Sequence, residues 1–407
     1  MNREPSCVWN NIWLRLSALL LMAVLLPSSY AADSEPYTPQ LLLTAQRLRR
    51  LQRDRQRQTP RWVNFENRIE AAPDSPERGF ELALYYAVAH DQSRGREAIQ
   101  WAIAHRCERR QVALILDWCA DLITDAERQR LLAQTCAQSS PGSSSPIVAD
   151  RDGFFLSVVR GNPDQAYGEN VVEFLKQNWL NHSADLYAGC ELMSAFRTNK
   201  HVDLRENAPE FFSILPTEIL LGLKPNEVLH PPWQTHIAAL ALVDLDPNLE
   251  GSQYLQGWAI EDAQMLREGP GVAYELLWGD PYLPGVGYQN LDPWVYDPTG
   301  RVFARTDWNE TACWITISTA GVEDWQCPAG WQNTATTFGR MTLIPMTPPC
   351  IQVLRQKNNE STVIWKLKPN GTVTFSQGKQ QQPGKADAAG MLRLGANQEG
   401  KMCVVNR

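Results

Sequence analysis

The sequence predicts a multidomain α and β protein in which helical hairpins are followed by a small C-terminal antiparallel β-sandwich. Three observations carry this. Apolar residues recur at helical spacing from Thr38 to Leu277, and further along the chain they fall into short alternating runs with Asn-Gly and Pro-Gly turns. Between the two lies WGDPYLPGVGYQNLDPWVYDPTGRVFARTDW, residues 278–308, where Asp280-Pro281, Leu283-Pro284, Asp292-Pro293 and Asp297-Pro298 each push the residue before proline out of the helical region. The expected division is a signal peptide over 1–31, a helical domain over 32–278, an extended strap over 279–300 and a β-sandwich-like domain over 301–407.

Met1 to Ala31 has the pattern of an export signal: Arg3 and Arg15 precede the apolar run Leu16 to Leu26, Pro27 breaks it, and small residues follow at Ser29 and Ala31. The run is short for a bilayer span, so a periplasmic or secreted protein without stable membrane insertion is expected. Removing Arg3, Glu4 and Arg15 takes one positive charge from the formal net charge of −7 and leaves −8, a balance that disfavours nucleic acid as a partner. An anionic polymer stays possible where a cleft concentrates Arg and His. Cys7 leaves with the signal. Cys107, Cys119, Cys136 and Cys190 then fall in the helical part, and Cys313, Cys327, Cys350 and Cys403 after the strap, a split that suits disulfides within each domain. No C-x-x-C pair is present to indicate zinc, and neither metal nor cofactor is expected.

AQRLRRLQRDRQRQ, from Ala45, is a good helix former with Leu48 and Leu51 on one face and its arginines on an expected solvated face. Ser75-Pro76 opens a second helical run with Phe80, Ala83, Leu84, Ala87 and Val88 as its stripe. Thr124-Asp125-Ala126-Glu127 is a capping box. The helices are too many for a four-helix bundle and are joined by short turns, which points to stacked antiparallel pairs.

FELALYYAVAHDQSRGREAIQWA and LILDWCADLITDAERQRLL resemble the helical domain of the heparinase II/III-like and alginate-lyase-like polysaccharide lyases, and FARTDWNETACWITISTAG resembles the opening strands of their β-domain. The resemblance runs from about Leu41 to Gly321 and implies an incomplete (α/α) toroid followed by the sandwich. It also implies metal-independent β-elimination on a uronate-containing acidic polysaccharide or oligosaccharide.

Elimination needs a group to neutralise the uronate carboxylate, a base for the neighbouring proton and an acid for the departing oxygen. His182 precedes a helix that starts near Ser183, where the dipole disfavours a cation, so a neutral imidazole is expected. Asn181-His182 matches the Asn-His pair that in the resembling lyases faces the uronate; the plainer reading is that both satisfy backbone groups at the helix start. His230-Pro-Pro-Trp-Gln-Thr-His236 puts two histidines and Trp233 at a loop and helix start. Tyrosine is the usual proton donor in those lyases, which singles out Tyr274 and Tyr288. The expected catalytic set is His182, His236 and Tyr274. The substrate-binding set is Asn181, Arg205, Trp233, Trp258 and Tyr288, with Arg205 read also as a self-paired surface charge and the tryptophans also as core.

The strap aromatics Tyr282, Tyr288, Trp294 and Tyr296 could wall a cleft or simply pack a linker. Two alternatives stand beside the lyase. One is a silent glycan-binding or scaffold protein, since the family's Glu-Gly-Ser run has no match and no histidine follows His236. The other is an (α/α)-barrel glycoside hydrolase with paired carboxylates from among Asp262, Glu268 and Glu275.

Overall fold

A computed structural model describes residues 38–71, 74–135, 145–179, 183–261, 265–266 and 268–291. Beyond these it describes residues 308–310, residue 312 and the strands given below. The signal peptide expected over 1–31 lies outside the described residues, as do Asn181 and His182, Asp262, and the loop over 136–144.

Fourteen α-helices are described: α1 (Ala45–Gln56), α2 (Pro60–Glu70), α3 (Arg78–Ala89), α4 (Gln92–Ala104), α5 (Arg109–Trp118), α6 (Asp125–Gln134), α7 (Pro146–Val159), α8 (Val171–Asn178), α9 (Ser183–Lys200), α10 (Pro209–Gly222), α11 (Pro225–Leu229), α12 (Trp233–Leu245), α13 (Glu250–Ala259) and α14 (Gly271–Trp278). Their starts follow from local chemistry. Thr44 caps α1 through Arg47 N–H, Asp91 caps α4 through Ser93 and Arg94 N–H, and the Thr124–Glu127 capping box opens α6 as the sequence predicts.

Alternate helices from α3 to α9, and then α12 and α14, are buried nearly all round. Helices α3, α5, α7, α9, α12 and α14 carry the longest runs of buried residues, and each packs on the next: α3 on α5, α5 on α7, α7 on α9, α9 on α12, α12 on α14. Helix α14 then meets α1 and α2, which pack on α3, so the sequence of contacts closes into a ring. A helical toroid is compatible with this arrangement.

One mouth of the ring is closed. Leu41, Leu42 and Leu43 are fully buried there, each burial stabilising by about 1.5–3 kcal/mol. Asp117, near the end of α5, accepts from Gln40 N–H and Leu41 N–H, and Trp118 Nε1 donates to Leu41 O. Arg50 donates to Leu277 O at 2.8 Å, and Arg61 to Leu276 O and Gly279 O at 2.9 and 2.7 Å, covering carbonyls that the end of α14 leaves open. Arg47 pairs with Asp244 of α12 and lies over the Trp278 ring. The expected solvated arginine face of α1 holds for Arg49, Arg53 and Arg55, which are exposed, and is corrected for Arg47 and Arg50, which are buried because long cations reach the carbonyl and carboxylate groups at this end of the ring.

The strap begins by packing on α13. Val286 N–H donates to Gln253 O, and Gly257 approaches Val286 so closely that a Cβ would stand 2.0 Å from its carbonyl oxygen. Tyr288 is buried against Trp308, whereas Tyr282 is exposed. None of residues 279–291 lines either cavity described below.

After the strap the described backbone forms two antiparallel ladders. The first joins β1 (Trp294–Asp297), β2 (Arg301–Arg305), β3 (Trp314–Ser318) and β4 (Gly321–Gln326), the second β5 (Met341–Met346), β6 (Cys350–Arg355), β7 (Val363–Leu367) and β8 (Val373–Thr374). The expected β-sandwich is nonetheless overturned. A sandwich requires two sheets whose inner faces interdigitate into a shared core. The described core is helical instead, and the β-region adds to it only Phe303 and Trp308. The first ladder lies against α10, where Arg305 and Trp314 donate to the carbonyls of Leu220, Leu221 and Leu223. Short alternating runs signal strands but do not say what covers their faces.

Cysteine usage also departs from expectation. Cys107 is disulfide-bonded, but Cys119 and Cys190 are free and buried, so the helical part does not pair all four of its cysteines. Among the described residues no helix is long and apolar enough to cross a membrane.

Candidate functional site

The other mouth of the ring gathers the N-terminal ends of the inner helices, and each sends a polar or aromatic side chain towards the axis. Glu77 precedes α3. Arg110 lies in the first turn of α5, Arg151 in the second of α7, Tyr187 and Glu191 in α9, Trp233 and Gln234 at the start of α12, and Tyr274 in the first turn of α14. All of these but Glu191 line one cavity of about 360 Å³.

Glu191 is the anchor. Fully buried, it accepts from Arg110 Nε and Nη2 at 2.9 and 2.6 Å, from Arg151 Nη1 at 2.9 Å and from the Tyr187 hydroxyl at 2.6 Å. Desolvation works to raise its pKa, but the two guanidiniums outweigh it and hold the carboxyl below its ordinary range. Arg151 is completed by Asp152 and Tyr187 by the Trp278 indole N–H. The result is a buried polar cluster in which charge meets charge, the condition for carrying ions inside a protein.

Tyr274 stands on the cavity wall. It stacks on Phe80 at 4.6 Å, meets Tyr187 edge-on at 5.3 Å and leaves Trp233 at 6.0 Å. Its hydroxyl accepts from Arg110 Nη1 at 3.0 Å and donates to the Glu77 carboxylate. Burial, only partly offset by Arg110, holds the phenol well above its ordinary pKa, so Tyr274 is neutral near pH 7 and keeps a proton to give. Burial likewise raises Glu77 above the usual carboxylate range, against the pull of Arg110, which makes it a stronger base once ionised.

A second, larger space of about 1010 Å³ adjoins the first, and Ala184 and Gln234 line both. Its walls come from Trp179, the start of α9, the end of α10, Lys224, and strands β2 to β4.

The predicted site residues scatter. Tyr274 and Trp233 are brought together on the smaller cavity. His236 is fully buried one turn below it and lines neither space. Its Nε2 lies 3.8 Å from Glu275 Oε2, and neither ring nitrogen has a hydrogen bond among the described residues. Arg205 pairs with Asp203 and Asp246 near the far ends of α9 and α12 and lines neither cavity. Trp258 is core, donating to Val228 O, and Tyr288 is a buried residue of the strap, packed on Trp308. Of the paired carboxylates considered for a hydrolase, Glu275 is buried and accepts from Leu266 N–H, while Glu268 is exposed, and neither lines the two cavities. Asn181 and His182 lie outside the described residues.

Sequence reasoning missed Arg110, Arg151, Glu191, Tyr187 and Glu77. A signal existed. Glu191 interrupts the apolar run Leu186 to Phe196 and Arg110 opens that of Val112 to Leu116, and a charge on the buried stripe of a helix needs a partner. Among the described residues no group of His, Cys, Asp and Glu could hold a metal ion.

No family model matches the chain, and no curated protein matches it.

Proposed function

We propose that the protein is an exported polysaccharide-lyase-like enzyme that cleaves a uronate-containing glycan by β-elimination in the smaller cavity, with Tyr274 and Glu77 as its proton-transfer pair. The observation that carries the reading is the Tyr274 hydroxyl, set on the cavity wall between Arg110 and Glu77. Glu77 takes the proton beside the uronate carboxylate, the carbon–carbon double bond forms as the glycosidic carbon–oxygen bond breaks, and Tyr274 protonates the departing oxygen. The proton on Glu77 then returns to Tyr274 along their hydrogen bond, and the pair is ready again. Trp233 offers an aromatic face to the sugar, and the convergent N-terminal ends of six inner helices favour its negative charge.

A binding protein without catalysis is the second reading. It is favoured by the saturation of Arg110 and Arg151, whose hydrogen bonds are already taken up by Glu191, Glu77 and Asp152. Incubation with alginate and with glycosaminoglycans, following absorbance at about 232 nm, separates the two: elimination leaves an unsaturated product that absorbs there. A rise that disappears in Tyr274→Phe is the expected result. Tight binding without any rise supports the binding protein.

A further inference from the structure

The outward face of α1 is basic without a counter-charge among the described residues. Arg49, Arg53 and Arg55 are exposed, as is Arg57 at the helix C-cap, and none of the four forms an ion pair among the described residues. Arg57 donates to the Tyr282 hydroxyl at 3.4 Å. Asp54, the one carboxylate of α1, is buried and pairs with Arg61. Elsewhere on the ring arginines are matched: Arg94 to Glu97, Arg96 to Glu127 and Arg205 to Asp203. Arg49, Arg53 and Arg57 follow at four-residue spacing, about 6 Å per step, and so form one stripe about 12 Å long. Like charges at this spacing repel, and in a chain of net charge −7 the helix still places no free carboxylate beside them.

Such a stripe fits a partner with repeated anionic groups. A single small anion cannot meet three guanidiniums spread over that length, whereas a chain carrying a carboxylate or sulfate on successive units engages them together. The planar guanidinium fork matches both groups. A lipid surface is disfavoured, because the apolar side of α1, Leu48 and Leu51, is packed into the core and leaves no large apolar side chain to enter it. None of the four arginines lines either cavity. We infer that the outward face of α1 is a second, surface site for a linear acidic polysaccharide, held by Arg49, Arg53 and Arg57 apart from the cavity of Tyr274. That the polymer held here is the one cleaved there rests on the proposed function; the surface site does not.

Calorimetric titration of the full chain carrying Tyr274→Phe, so that no polymer is cleaved, tests this with polymeric alginate and with heparin at low and at raised salt. Both are expected to bind, more weakly as salt rises. Arg49→Gln, Arg53→Gln and Arg57→Gln together, which keep helix propensity, are expected to weaken both about tenfold and to flatten the salt dependence, and Arg53→Gln alone to weaken them about twofold. Arg96→Gln makes the same change in net charge as Arg53→Gln, but on a matched arginine, and is expected to leave affinity where it was. A uronate disaccharide is too short to span the stripe, so any affinity it has is expected to be the same with and without the three arginines. Thermal melting shows which variants are folded; should the triple variant not fold, Arg53→Gln carries the test. No binding of either polymer, affinity unmoved in a folded variant, an equal loss in Arg96→Gln or with the disaccharide, or phosphatidylglycerol vesicles binding as tightly as the polymers would each overturn the inference. Because the readout is affinity for polymer, the surface site can stand while elimination fails to appear, and can fall while elimination proceeds.

Discussion

The two mouths of the helical ring solve opposite problems with the same residue type. At the closed mouth, arginines meet helix C-termini: Arg50 and Arg61 lie on the last carbonyls of α14, and the partial negative charge there is what a guanidinium complements. At the open mouth the helices present their positive ends, so Arg110 and Arg151 are unfavourable against the helices alone and persist because Glu191 joins them. The closed mouth is therefore a set of separate contacts, whereas the open mouth depends on one carboxylate.

That difference ranks the outcomes of mutation. Glu191→Gln leaves two buried guanidiniums short of a counter-charge, and a loss of about 3–5 kcal/mol in denaturant unfolding is expected. Tyr274→Phe keeps the stacking on Phe80 and removes the one hydroxyl proposed for chemistry; turnover is expected to fall about 10²–10⁴-fold with a melting temperature close to the parent's. A comparable fall in stability in that variant would place Tyr274 with the structural cluster instead. At the closed mouth, Arg50→Met retains the buried stem but gives up the bond to Leu277 O and the pairing with Asp280, for about 1–3 kcal/mol. If Arg50→Met proves as damaging as Glu191→Gln, the two mouths do not differ in the way described.

The sequence made one half of this picture legible. Helical spacing, the Thr124 capping box and the Tyr274 restart after Gly269-Pro270-Gly271 are local signals, and the structure keeps each of them. The closed mouth was hidden because an arginine-rich helix looks the same whether its cations meet solvent or the ends of helices nearly two hundred positions away, as Arg47 meets Asp244. The open mouth was hidden for the same reason: Arg110 and Glu191 are 81 positions apart, and only closure of the ring brings them to 2.6 Å. Histidine was overvalued. His236 is rich in chemical possibility on paper, yet α12 turns it inward, away from either cavity.

His236 also gives the finest test of the contrast, because it is a basic group near the open mouth with no satisfied partner. Burial lowers its pKa to about 4, in the sense expected beside a helix N-terminus. Protonation would put a cation 3.8 Å from Glu275, which offsets part of the cost, but that carboxylate already accepts from Leu266 N–H and the net direction remains downward. Unfolded, the imidazole titrates near 6.5, so between that pH and 4 the unfolded chain binds more protons than the folded one. The contribution of His236 is complete above pH 6.5 and is lost as pH falls towards 4, about 1 kcal/mol having gone at pH 5.5. His236→Leu removes the titrating group and leaves no orphaned nitrogen, so its stability should vary less between pH 7.5 and 5.5 than the parent's. Equal acid sensitivity in both proteins would mean that His236 accepts its proton in place, with Glu275 as its counter-ion, and that the open mouth tolerates a cation held by that one carboxylate.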